Sequence, residues 1–329
     1  MRAWHVIGVG EPADVMDFVE VDTPEPGPMQ LLVRTRAAAL NFPDVLMCRG
    51  QYQVRPPLPF TPGVELCGDV VAVGPEVAEF SVGDRVIGTT AIPFGALAES
   101  ALLDSVDAFP APEALDDAAA AAMHIAYQTA WFGLHRRAQL RSGETLVIHA
   151  AAGGVGSAAV QLGKAAGARV VAVVGGAEKA DVARELGADV VIDRTAVELL
   201  PALKEVTGRH GADVIFDPVG GDSFTASTRA VAFEGRILVI GFASGTIPAP
   251  QLSHALVKNY SLLGLHWGLY RQLDSAAVAH AHSTLSALAK DGVVKPLVAA
   301  RLELAEAPAG LSRLAAGQTV GRLVVQVGQ

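Results

Sequence analysis

The sequence predicts an α/β protein in which a doubly wound parallel sheet is joined to a smaller β-barrel-like unit. Three observations predict it. From Asp116 onward, short runs of Val and Ile alternate with helical segments, the pattern of parallel strands buried on both faces. A glycine-rich turn, Ala150 to Gly156, separates one of those strands from the helix after it. The first third of the chain instead carries β-branched stretches cut by Gly and Pro, as short barrel strands do. At roughly 100–200 residues per domain, 329 residues make two domains.

Taken in order, Leu31 to Thr35, Gly68 to Val73 and Arg85 to Gly88 read as strands. Clustered prolines (Pro24, Pro26, Pro28; Pro56, Pro57, Pro59, Pro62) mark loops and edges. Asp116 to Leu134 is an Ala-rich helix whose two leading acids suit a helix N-terminus. Leu146 to His149 is the first strand of the parallel sheet. Val155 to Ala166 follows as a helix, with Val155, Ala159, Leu162 and Ala166 on one face and Gly167 just past its end. Arg169 to Val174 is the next strand, and Lys179 to Leu186 a helix closed by Gly187. Val190 to Ile192, Val214 to Phe216 and Ile237 to Ile240 continue the sheet, with Leu262 to Leu265 as a sixth strand. Ala276 to Lys290 is a helix, and Arg322 to Val327 a last strand.

A hydrophobic fraction of 51% against 18% charged residues excludes global disorder. The net charge of −9 argues against nucleic-acid and anionic membrane partners. An anionic ligand must therefore be held by a local arrangement. Cys48 and Cys67 are too few for a four-cysteine zinc module and read as buried, reduced thiols. No apolar run approaches the ~20 residues of a membrane span, and the start lacks a signal-peptide core. A soluble, cytoplasmic protein is expected.

The sharpest motif is His149-Ala150-Ala151-Ala152-Gly153-Gly154-Val155-Gly156. Ala151, Gly153 and Gly156 occupy the glycine positions of G-x-G-x-x-G, with Ala in the first. Gly153 lets the backbone approach a pyrophosphate, and Gly156 lets the helix pack against the strand. The helix start at Ala152, Gly153, Gly154, Val155 and Gly156 then offers backbone N–H groups to phosphates. An NAD site carries an acid at the end of the second strand, but here that strand runs into Gly175-Gly176, with Lys179 just beyond and Arg194 after the third strand. A missing acid beside cations predicts a 2′-phosphate, hence NADPH. The plainer reading of Lys179 and Arg194 is a pair of solvated cations.

Gly143-Glu144 through Gly156, then Gln161 and Lys164, resembles the quinone oxidoreductase (zeta-crystallin) signature, with Val147 in place of Leu. Gly63-Val64-Glu65-Leu66-Cys67-Gly68, Gly74, Phe80 and Gly83-Asp84-Arg85-Val86 are similar to the GroES-like domain of medium-chain dehydrogenases/reductases. Asn41-Phe42-Pro43-Asp44 and Gly50-Gln51-Tyr52 resemble the quinone oxidoreductase branch. The resemblance implies a GroES-like substrate domain, 1–122 with 268–329, and a Rossmann domain, 123–267. It places the nicotinamide between them, lined by Asn41, Tyr52 and Thr129 as catalytic candidates. Gly241, Phe242 and Ala243, and likewise Leu265, His266 and Trp267, would turn their backbones toward the carboxamide.

Zinc-dependent relatives place Cys near Asn41 and Gly-His-Glu at Gly63-Val64-Glu65, so the resemblance implies no metal. Two departures bear on the coenzyme: Asp193-Arg194 stands where the family often has an aromatic residue, and Gly317 where it has a basic one. The implied reaction is hydride transfer from NADPH to a quinone. Reduction of activated C=C bonds, in enones or 2-enoyl esters and thioesters, and a non-catalytic crystallin-like role are the alternatives. A homodimer through the edge of the Rossmann sheet, at Leu262 to Leu265, is also implied. Each candidate has a plainer reading: Asn41 as a turn cap, Asp44 as a helix-start acid, Tyr52 as a loop anchor, Thr129 bonded to its own backbone, His266 as a packed ring. His149 and His124 read as core or pocket-wall groups, and Glu65 as a structural hydrogen-bonding carboxylate.

Overall fold

The computed structural model describes residues 1–328. In chain order its elements are β1 (Arg2–Val6), α1 (Pro12–Val15), β2 (Met16–Glu20), β3 (Gln30–Ala39), α2 (Phe42–Cys48), β4 (Glu65–Val73), β5 (Arg85–Thr89), β6 (Ser100–Asp104), β7 (Ala108–Pro110) and α3 (Asp117–Trp131). There follow β8 (Thr145–His149), α4 (Gly154–Ala165), β9 (Arg169–Val174), α5 (Ala177–Glu185), β10 (Val190–Asp193), α6 (Leu199–Thr207), β11 (Ala212–Asp217), α7 (Gly221–Ala230), β12 (Val231–Val239) and α8 (Leu252–Lys258). The chain closes with β13 (Ser261–Gly264), α9 (Gly268–Leu273), α10 (Ser275–Lys290), β14 (Val298–Glu303), α11 (Ala307–Ala315) and β15 (Arg322–Gln326).

Two compact units share the chain: residues 1–125 with 295 to the C-terminus, and residues 126–294. In the first, a seven-stranded sheet runs β14-β15-β3-β4-β5-β7, with β6 also on β3. The ten-residue β3 is its spine. Its first half pairs β6 and its last residues pair β15, while bulges interrupt its register with β4. Such bulges bend a sheet toward closure. Leu31, Val33, Leu66, Val86, Leu103 and Val325 fill the interior.

The second unit holds a six-stranded parallel sheet in the order β10-β9-β8-β11-β12-β13. The strand order reverses between β8 and β11, and ligands of open α/β sheets collect beyond the strand ends at such a point. Val147, Val171, Ile215 and Ile237 are fully buried in this sheet, as continuous Val and Ile runs foretell. The return to the first unit comes at Lys295 rather than at residue 268. The reason is packing. Gln128 Nε2 donates to the Val278 carbonyl (3.0 Å), the Phe132 and Tyr270 rings lie 4.3 Å apart, and Arg136 pairs with Asp274 at 2.8 Å. These contacts tie α9 and α10 to the second unit.

Candidate active site

The turn after β8 is set by backbone geometry. Ala150 is left-handed (φ 50°), Ala151 N–H donates to the Val173 carbonyl (3.1 Å), and Gly153 N–H to the Ala150 carbonyl (2.9 Å). Helix α4 then starts at Gly154 with Gly153 as N-cap and no side-chain cap. Its first-turn N–H groups and positive dipole end remain available to an anion. The two glycines do different work. A Cβ on Gly156 would lie 2.1 Å from the Ala150 carbonyl oxygen, so the strand–helix approach forbids one there. A Cβ on Gly153 would meet that oxygen at 3.2 Å and nothing else within 4 Å, at φ −85° and ψ 177°. The fold nearly tolerates a methyl at Gly153, so its bare Cα is room for a ligand. Ala152 is buried, and Gly154 and Val155 are half-buried.

At the end of β9 the Arg194 guanidinium covers Gly175, where an added Cβ would lie 3.3 Å from Nη2. Asp193, the acid in this neighbourhood, is engaged locally. Its Oδ1 accepts from Gly176 N (2.8 Å), Thr195 N (2.9 Å) and Thr195 Oγ1 (2.7 Å). Those bonds, Gly176 first, hold its carboxyl below the usual range. The exposed Arg194 and the half-buried Lys179, in the first turn of α5, stand at this end of the sheet.

The loops after β11 and β12 are zipped together. Ala243 N donates to the Pro218 carbonyl (3.0 Å), Ser244 N to Val219 (3.0 Å), and Thr246 O accepts from Gly221 N (3.2 Å). Gly241 and Phe242 are half-buried and Ala243 exposed. Beyond β13, Leu265 N donates to the Val239 carbonyl (3.0 Å). Leu265 and Trp267 are buried, while His266 is exposed. Thr129 lies in α3 of this unit, 8% exposed.

The first unit holds Asn41, Tyr52 and a polar cluster under them. Asn41 caps α2, its N–H donating to Asp44 Oδ2 at 2.9 Å. Its side-chain Nδ2 donates to the Ala39 carbonyl (3.0 Å) and Glu65 Oε1 (2.8 Å), and its Oδ1 accepts from Arg322 Nη1 (2.9 Å). Both amide protons are thus committed inside the unit, and the residue is 4% exposed. The expectation that Asn41 donates to a reacting oxygen is corrected on that count; it anchors the cluster. Glu65 accepts from Arg322 Nη2 and, at 2.8 Å, from Ile125 N. Asp44 also accepts from Gly63 N (3.0 Å), yet burial pushes its carboxyl up to about 7. Tyr52 packs against the barrel core, half-buried. Sequence reasoning missed Arg322, whose only signal is a lone cation opening the strand Arg322-Leu323-Val324-Val325.

Residues 27–113 match the family described as alcohol dehydrogenase GroES-like domain, and residues 154–283 the one described as zinc-binding dehydrogenase. Together they define an oxidoreductase of the medium-chain dehydrogenase/reductase superfamily. The mouse quinone oxidoreductase-like protein 2 is 38% identical over 84% of this chain and 79% of its own. The structure of Escherichia coli quinone oxidoreductase complexed with NADPH superposes with a TM-score of 0.91 at 29% identity, covering 99% of this chain and all of that one. The CurF ER cyclopropanase of the curacin A biosynthetic pathway is 26% identical, with a TM-score of 0.88 over 99% of this chain and 98% of its own. The chain belongs to the quinone oxidoreductase branch of that superfamily.

The donor set does not fit the zinc that one family description names. Asn41 Oδ1 and Glu65 Oε1 both receive the Arg322 guanidinium, a cation that would repel a metal ion there. No cluster of three or more His, Cys, Asp or Glu placed to hold a metal occurs among the described residues. Cys48 and Cys67 are buried and not disulfide-bonded, their thiols pushed up to about 12 by burial. No helix among the described residues is long and apolar enough to cross a membrane.

Proposed function

We propose that the protein reduces quinones with NADPH, without zinc, in the cytoplasm. The carrying observation is the uncapped mouth of α4 beside Gly153, where an added Cβ would meet a single atom within 4 Å, with Arg194 over Gly175 at the adjoining strand end. Backbone N–H groups of Ala152, just before the cap, and of Gly154, Val155 and Gly156 in the first turn hold the pyrophosphate, and Arg194 and Lys179 take the 2′-phosphate. Backbone groups of Gly241, Phe242, Ala243, Leu265, His266 and Trp267, together with Thr129, orient the nicotinamide ring. Bound NADPH supplies the hydride from its C4. Tyr52 donates to the acceptor oxygen on which negative charge develops, and solvent protonates the product. The likeness to the mouse quinone oxidoreductase-like protein 2 and to Escherichia coli quinone oxidoreductase complexed with NADPH supports the reading. The two buried, unbonded thiols suit a reducing compartment.

The likeness to an ER cyclopropanase favours one second reading, reduction of activated C=C bonds in enones or 2-enoyl thioesters. We further propose a homodimer through β13. Among the described residues that strand pairs with β12 alone, and Ile247, Leu252, Leu256 and Val257 nearby in sequence are each more than 70% exposed. The deciding experiment follows NADPH and NADH consumption with a panel of quinones and enones, before and after chelation. NADPH-dependent quinone turnover that survives chelation is the expected result. Turnover confined to enones selects the second reading. NADPH binding without turnover would make the protein a non-catalytic binder.

A further inference from the structure

The first unit carries a cavity of about 290 Å³ that none of the residues assigned above to coenzyme or acceptor lines. It lies between the loop after β1 and the segment following α2. Met47 and Phe60, both buried in the barrel core, line it from inside. Val9, Pro56 and Leu58 line it toward the surface, and Val9 is 70% and Leu58 46% exposed. The walls are held without an occupant. Gly10 N donates to the Cys48 carbonyl (2.9 Å), which ties the loop to the end of α2, and Val6 and Phe60 exchange backbone bonds of 2.8 and 3.3 Å. Past α2 the chain turns at the left-handed Gly50 (φ 63°), where an added Cβ would lie 3.2 Å from Val9 Cγ1. A glycine there lets Val9 settle against the turn. The cavity is thus formed in advance, as small-molecule sites usually are.

One lining residue is charged. Arg55 is exposed, and it makes no hydrogen bond or ion pair among the described residues. Nearby Arg49, by contrast, pairs with Glu11 at 2.8 Å. With 34 acids to 25 Lys and Arg in the chain, Arg55 is not bare for want of acids. The complement of an apolar cavity with a single guanidinium is an apolar body with one negative end. We propose that this cavity binds a small amphipathic carboxylate. Its chain lies on Val9, Met47, Leu58 and Phe60, and its carboxylate takes the Arg55 guanidinium, a pairing that suits bidentate hydrogen bonds. At about 30 Å³ for each water-sized group, the cavity has room for roughly ten heavy atoms, the size of octanoate. Binding needs no coenzyme, because every lining residue belongs to the first unit.

Methyl ¹³C-methionine spectra of the whole chain test this at the cavity itself. The Met47 methyl is one of five methionine signals and is assigned by its loss in Met47→Leu. The probes are butanoate, hexanoate, octanoate and decanoate, with octanamide as the uncharged counterpart. The Met47 signal should shift saturably. Affinity should rise about three- to fourfold per added methylene and level off between octanoate and decanoate, where the cavity is full. Arg55→Gln changes an exposed side chain and should melt like the wild type. It should bind octanoate about fivefold more weakly, bind octanamide unchanged, and lose its difference from the wild type at high salt. A Met47 signal that octanoate does not move would overturn the proposal, as would affinity indifferent to chain length. Equal octanoate affinity in wild type and Arg55→Gln, or octanamide binding the wild type as tightly as octanoate, would also overturn it.

Discussion

Gly153 and Gly156 stand three residues apart in one turn, and the structure predicts opposite consequences for adding a methyl to each. In Gly156→Ala the Cβ arrives 2.1 Å from the Ala150 oxygen, 2.8 Å from its carbonyl carbon and 2.9 Å from the Ala151 Cα, all backbone. Helix and turn must separate by more than an ångström. Overpacking of this kind costs about 1–3 kcal/mol, which outweighs the ~0.5–1 kcal/mol that Ala otherwise gains over Gly inside a helix. At roughly 2–4 °C per kcal/mol, the melting temperature should fall by several degrees, and NADPH affinity with it. Gly153→Ala meets one atom at 3.2 Å in a backbone conformation open to Ala. Its melting temperature should move by no more than about 2 °C. NADPH affinity should nevertheless drop at least about tenfold, or 1.4 kcal/mol, because the methyl stands where a pyrophosphate approaches. Scanning fluorimetry gives the first quantity and fluorescence titration the second. Gly153→Ala that binds NADPH like the wild type, or that destabilises as much as Gly156→Ala, would refute the division of labour.

Arg194→Ala and Lys179→Glu should each weaken NADPH far more than NADH, by about tenfold or more for a lost charge-assisted phosphate contact; equal losses for both coenzymes would remove the residues from the 2′-phosphate site. Tyr52→Phe should lower kcat by roughly 10- to 100-fold with little change in KM, measured where hydride transfer from deuterated NADPH limits the rate; an unchanged rate there rejects the hydroxyl's role. Asp44 supplies a stability prediction. Its carboxyl rises from 3.8 to about 7 in the folded state, so between these values the native protein binds a proton that the unfolded chain releases, and stability falls as pH rises, by about 4 kcal/mol in total. Somewhat over a third of that lies between pH 5.5 and 7, and Asp44→Asn should flatten the slope of melting temperature over this range.

The nucleotide half of the fold was legible because its signals are local. Val and Ile runs at β8, β9, β10 and β11 mark buried parallel strands, and Gly156 marks a helix that must touch its strand. The rest was hidden for physical reasons. Helix α7, Gly-Asp-Ser-Phe-Thr-Ala-Ser-Thr-Arg-Ala, is poor in helix formers, and it is held by burying Phe224 and Ser227 rather than by propensity. The first-unit cluster depends on Arg322 meeting Asn41 across 281 residues of chain, a pairing no spacing rule can express.

Asn41 shows most clearly where a sequence stops and coordinates begin. From sequence it had two readings, a cap for α2 or a donor in a reaction site, and both suit an asparagine before Phe-Pro-Asp. A primary amide has two protons to give. Here one goes to the Ala39 carbonyl and the other to Glu65, while the backbone N–H closes the cap with Asp44. Counting donors therefore settles the matter in favour of the cap. It also explains why Arg322 is needed. Glu65 and Asp44 place two carboxyls in one buried volume, and a guanidinium shared between Asn41 and Glu65 is what keeps Glu65 from standing there as an uncompensated charge.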